Sequence, residues 1–192
     1  MTEEVINKLP ELFKDKLCTL KKASWDKSKK VSMCDSHIKV INFDNISKVY
    51  SKTKGLPSIP TSNDALYIDR NDKWYFIEFK NGSVDKSNIY RKLYDSLIIL
   101  IELEIIPNID FVRKNVHYIL VYNSEKADVI PKSEGREENY KFFQRLSKSE
   151  VRLFDIDKFE KYLFEATHTY TKEEFLEKFV YPMEEQEKRA VV

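Results

Sequence analysis

The stretch from Ser62 to Gly82 holds two apolar runs, Ala65 to Asp69 and Lys73 to Lys80, around the polar Arg70-Asn71-Asp72. Aromatic and β-branched residues dominate both runs, which predicts two strands. The residues between them have hairpin-turn chemistry. A hairpin of this kind commits the chain to a sheet, and its second strand is unusual. Glu78 and Lys80 flank Phe79 inside an otherwise apolar element. Strand side chains alternate, so Glu78 and Lys80 share a face. Asp64 enters the same neighbourhood from the first strand.

Whether Asp64 joins that face depends on the parity of the turn. A two- or four-residue turn centred on Asn71-Asp72 sets Ala65 opposite Glu78 and points Asp64 away. A three-residue loop, or a bulge near Asp64, brings it back. Arg70-Asn71-Asp72 suits the three-residue loop, because Asn and Asp tolerate the left-handed conformation it needs. Asp69 sits at the turn, roughly 13 Å along the strand from the Asp64–Glu78 level, and is not expected to share their ion.

Two carboxylates a few ångströms apart offer hard oxygen ligands to Mg²⁺ or Mn²⁺. Such an ion acidifies a water and neutralises phosphate charge, and a lysine beside it can orient the water or stabilise the transition state. An Asp, a short hairpin and then Asp/Glu-x-Lys resembles the motif of the PD-(D/E)xK nuclease superfamily, which includes restriction endonucleases and Holliday-junction resolvases. Asp64, Glu78 and Lys80 take the motif positions as catalytic residues. Asp64, Glu78 and the Phe79 backbone carbonyl take the metal-binding ones. The residue before the Asp is Asn63 where the motif has Pro. The resemblance further implies a carboxylate from the first helix, for which Glu11 is the candidate, with Glu3 and Glu4 as alternatives. It implies a nucleic-acid substrate, DNA in preference to RNA, and assembly as a homodimer.

Lys plus Arg total 33 against 32 Asp plus Glu, a net charge of +1, so binding to nucleic acid has to rest on a local basic patch. Candidate patches are Lys29 and Lys30, in a basic stretch around Trp25, and Lys86, Arg91 and Lys92 early in a long helix. Each also has a plain reading as a solvated face. Cys18 and Cys34 fit no zinc or CxxC spacing and read as free thiols. The longest apolar run, Leu97 to Ile101, is too short for a bilayer, so a cytoplasmic protein with no membrane partner is expected.

Along the chain, a helix is predicted over 3–17, with Pro10 as its kink or true start. A loop follows over 18–36, then a strand at 37–43 and a helical turn at 45–50. The hairpin comes next, then a helix at 85–105 with Ile89, Tyr90, Leu93, Tyr94, Leu97, Ile98, Ile101 and Ile105 as its apolar stripe, packed on the sheet. A buried strand is predicted at 116–122, a charged loop at 124–136 and a helix at 137–147. A strand at 151–156, a helix from Asp157 and another opened by a Thr171–Glu174 capping box complete the reading. The expected fold is α/β: a restriction-endonuclease-like core in αβββαβ order, with a mixed central sheet, flanking helices and C-terminal helices. One domain spans 1–183, and 184–192 is a charged, fraying tail.

The function expected is metal-dependent hydrolysis of phosphodiester bonds. Two alternatives stand beside it: a catalytically inactive binding module of the same fold, and an unrelated α/β interaction factor such as a toxin-neutralising or anti-defence protein.

Overall fold

The computed structural model describes residues 1–125 and 152–189. The N-terminal helical segment breaks at Leu9-Pro10 into α1 (Glu3–Lys8) and α2 (Glu11–Lys14), with Pro10 as the N-cap of the second. Proline has no N–H to give a continuing helix, so the predicted 3–17 helix starts again there. The stretch predicted as a loop over 18–36 is structured. It holds β1 (Leu17–Thr19), α3 (Leu20–Ala23) and a two-stranded ribbon of β2 (Trp25–Asp26) with β3 (Val31–Ser32). Then come β4 (Lys39–Asn42) and α4 (Phe43–Lys54), so the predicted strand ends one residue early and the helical turn becomes a full helix. Asn42 caps α4 by accepting from the Asn45 N–H, which is what ends the strand there.

The hairpin follows as β5 (Ala65–Ile68) and β6 (Trp74–Lys80), then α5 (Lys86–Glu102), α6 (Ile109–Asn115) and β7 (Val116–Tyr122). After residue 151 a 3-10 turn (Ile156–Phe159) stands where a strand and a helix were expected. β8 (Ala166–Thr171) was not expected at all. The Thr171–Glu174 capping box opens α7 (Lys172–Phe175), which passes through a π-turn (Leu176–Val180) into α8 (Tyr181–Arg189). The π-turn lies just ahead of Pro182, which cannot donate back into an α ladder. The loop at 124–136 beyond Glu125 and the helix at 137–147 fall outside the described residues.

These elements build a mixed six-stranded sheet in the order β1-β4-β5-β6-β7-β8. The first four strands pair antiparallel, and β6, β7 and β8 run parallel. Helices cover both faces. On one face Phe43 of α4 meets Phe76 edge-on at 5.1 Å, Phe111 of α6 meets Trp74 at 5.5 Å, and Leu93 and Leu97 of α5 are buried. Tyr94 and Ile98, expected in the same stripe, are exposed. On the other face Phe179 packs against Tyr67 and Tyr75, and Phe175 against Phe79. One continuous apolar cluster joins both layers. The expected fray at 184–189 is helix instead: Glu184 accepts from Ser36, and Glu187 accepts from Tyr67 and pairs with the Met1 ammonium. No helix among the described residues is long and apolar enough to cross a membrane.

Candidate active site

The turn sets the geometry of the site. Asp69 donates its N–H to the Lys73 carbonyl, and its carboxylate accepts from the Asn71 and Lys73 N–H groups at 2.8 and 2.9 Å. Asp72 takes the left-handed conformation with φ 57°. The result is a three-residue loop, Arg70-Asn71-Asp72, with Ile68 opposite Trp74 and Ala65 opposite Ile77. One step further along this register, Asp64 stands opposite Glu78. The odd parity that a shared site demands is therefore present, and Asp69 is spent on the turn, away from the pair.

Asp64 and Glu78 are held from several sides. The chain entering β5 is pinned to both covering helices, with Ser62 donating to Asp44 of α4 at 2.7 Å and the Asn63 N–H donating to Ser96 of α5 at 2.9 Å. The Phe79 N–H donates to Asp64 Oδ2 at 2.7 Å. Glu78 is 0 % exposed and its Oε1 accepts from two ammonium groups, Lys92 at 2.7 Å and Lys80 at 3.0 Å. Lys92 also reaches Asp64 Oδ1 at 3.2 Å, so its ammonium bridges the two acids. Lys80 is steadied by Asn88 of α5 at 3.2 Å.

The electrostatics follow from this crowding. Burial, then the Glu78 charge, raises the Asp64 carboxyl to about 7, against the pull of Lys92 and the Phe79 N–H. Burial works against the Lys92 charge, but Asp64 and Glu78 together outweigh it and hold the ammonium more firmly protonated than usual. Tyr118 lies close enough for burial and the same two carboxylates to hold its hydroxyl strongly protonated.

The residues fit a hard divalent cation. Glu78 Oε2 is buried and has no hydrogen-bond partner, an orphaned acceptor on the residue opposite Asp64. Mg²⁺ keeps several waters and needs only one or two carboxylates from a protein. Among the described residues no group of three or more His, Cys, Asp and Glu side chains stands close enough to hold a metal. Asp64 and Glu78 are the two facing acids at this place. A cavity of about 440 Å³ opens beside the pair at the C-terminal end of β6. Its lining includes Asp64, Phe79, Lys80 and Asn81 from the sheet, Asp44 from α4, and Trp25, Asp26, Lys27 and Ser28 from the ribbon.

Other expected site residues lie elsewhere. Glu11 is exposed, pairs with Lys14 and does not line the cavity, and Glu3 and Glu4 pair with Lys39 and Lys8. Two further carboxylates line the cavity, Asp26 and Asp44, and the charge of Asp44 helps raise Asp64. The position of Asp44 in the first turn of a helix directly after a strand was the available signal. Lys86 pairs with Asp155 at 2.7 Å, and Arg91 is exposed. Of the three cations on this helix, the one at the site is Lys92, four residues after Asn88 and so on the same helical face. Lys29 and Lys30 are exposed in the ribbon turn, next to Lys27 at the cavity. His117 lies on the other sheet face beside His168, with Glu165 at 3.5 Å. Cys18 and Cys34 are free. The chain matches no protein-family model, no curated protein and no solved structure.

Proposed function

We propose that the protein is a divalent-cation-dependent phosphodiesterase acting on nucleic acid, DNA in preference to RNA, with a site of the PD-(D/E)xK kind. The observation that carries this reading is the direct opposition of Asp64 and Glu78, with Lys80 on the same face and a cavity alongside. The order helix, antiparallel strands, helix, parallel strand around the motif supports a restriction-endonuclease-like core.

In this reading Asp64, Glu78 and the Phe79 carbonyl hold Mg²⁺ or Mn²⁺, which when bound neutralises phosphate charge and acidifies a water. Lys80, fixed by Glu78 and Asn88, orients the attacking water toward phosphorus. The water oxygen forms the new bond to phosphorus and the bond to the leaving sugar oxygen breaks. The attacking water gives up a proton to solvent, and the leaving sugar oxygen takes one up from solvent. Incubation with labelled single-stranded DNA, duplex DNA and RNA in Mg²⁺ or Mn²⁺ tests the reading. Cleavage should require the cation and fall by about 10²-fold or more in Lys80→Ala. Cleavage that is equal in EDTA, or unchanged in Lys80→Ala, contradicts it.

One observation favours the second reading, a catalytically silent module of the same fold. Two lysines already compensate two acids. A protein that binds nucleic acid but neither takes up Mn²⁺ nor cleaves would establish that reading.

A further inference from the structure

We infer that the cavity beside Asp64 takes a single unstacked nucleotide with its base against the Trp25 indole, so that the substrate is a single strand or a frayed end. This rests on the nucleic-acid phosphodiesterase reading above and narrows its substrate.

Trp25 is 48 % exposed in a two-stranded ribbon, and it lines the same cavity as Asp64. A large aromatic left half in water at the rim of a polar cleft is a platform for a flat apolar ligand. The ribbon that carries it is held in place. Asp26, next to Trp25, accepts from the Asn81 side chain at 2.9 Å, and Asn81 accepts from Asn123 at 2.8 Å. Asn81 directly follows Lys80, so the ribbon is tied to the end of the strand that carries the acids. Within the ribbon Asp26 also accepts from the Ser28 N–H and hydroxyl and from the Lys29 N–H. The backbone that presents Trp25 is therefore anchored to the strand end beside Asp64.

Size and charge then select the ligand. A cavity of about 440 Å³ is of a size for one nucleotide unit. Stacking on an aromatic side chain requires a base already out of its helix. The lining carries Asp26, Asp44 and Asp64 against Lys27 and Lys80, so a bare phosphate is repelled until a divalent cation is present. Lys29 and Lys30, exposed at the ribbon turn, lie outside the cavity where flanking phosphates can pass.

The test uses the full chain with Ca²⁺, a hard cation for the same oxygen ligands, and reads tryptophan emission. The other tryptophan, Trp74, is packed between Phe13 and Phe111 at the far end of β6 and serves as an internal constant. A short single-stranded deoxyoligonucleotide should quench Trp25 emission, and a blunt duplex of the same sequence should not. Trp25→Ala should weaken single-strand binding about tenfold, as loss of one base–aromatic stack implies, and Trp25→Phe should retain most of it. Equal quenching by the duplex, or wild-type single-strand affinity in Trp25→Ala, overturns the inference. If Mn²⁺ binding and duplex cleavage survive in Trp25→Ala while single strands do not compete, the substrate assignment alone fails. If no nucleic acid is bound or cut in the presence of a bound ion, the phosphodiesterase reading fails with it.

Discussion

Asp64 carries an unfavourable charge in the folded chain. Its carboxyl titrates at about 7, against 3.8 for the free side chain, because burial and Glu78 oppose ionisation. A folded-state value raised above the unfolded one gives stability that is complete below the unfolded value and lost as pH rises through the folded one. Asp64→Asn removes that loss and can still accept from the Phe79 N–H. The variant should therefore gain on the wild type between pH 5 and pH 8, by on the order of 1–2 kcal/mol. Urea denaturation at the two pH values measures it, and a variant that loses ground at pH 8 refutes the assignment. Lys92 makes the opposite case. Removing it in Lys92→Met leaves two facing carboxylates with Lys80 as their remaining cation. The variant should unfold more easily in EDTA by roughly 3 kcal/mol, as loss of one partner of a buried ion pair does. Mn²⁺ should restore its thermal midpoint more than it raises that of the wild type. An equal response in both proteins would mean that Lys92 and the ion do not share a place. Of this constellation Asp64, Glu78 and Lys80 were legible from spacing alone. The bridge made by Lys92 was not, because it depends on the angle at which α5 crosses the sheet, and Asp44 was hidden because α4 was read as a short turn.

The hairpin was the most legible element, and the reason is local. Asn and Asp in the loop tolerate the left-handed residue that a three-residue connection needs, and the loop length fixes which side chains share a face. Asp69 belongs to this element and not to the site. Its side chain accepts two backbone N–H groups within the turn and lies 3.4 Å from the Tyr75 hydroxyl. Asp69→Ala should cost about 1–2 kcal/mol of stability with Mn²⁺ affinity kept. Loss of the ion with stability unchanged would move Asp69 into the site. β8 was less legible because its outward signal is polar. Thr167 and Thr169 face one layer while His168 and Tyr170 face the other, a period-two pattern without the aliphatic residues that marked β7. β1 and the β2–β3 ribbon were too short to stand out from the lysine-rich stretch around them.

At the scale of the molecule, a mixed sheet covered on both faces brings together what lies far apart in sequence. The ribbon near residue 25, the start of α4 and the hairpin converge on one cavity at the end of β6. A net charge of +1 gives no hint of this, because the relevant charges are local and partly cancel. The central claim is that Asp64 and Glu78 share one divalent cation. Calorimetric titration with Mn²⁺ on the wild type, Asp64→Asn, Glu78→Gln and Asp69→Asn tests it most directly. The account predicts one ion per chain in the wild type and in Asp69→Asn, and no binding in Asp64→Asn or Glu78→Gln. Binding that survives Asp64→Asn and vanishes in Asp69→Asn, or no binding to the wild type, contradicts it.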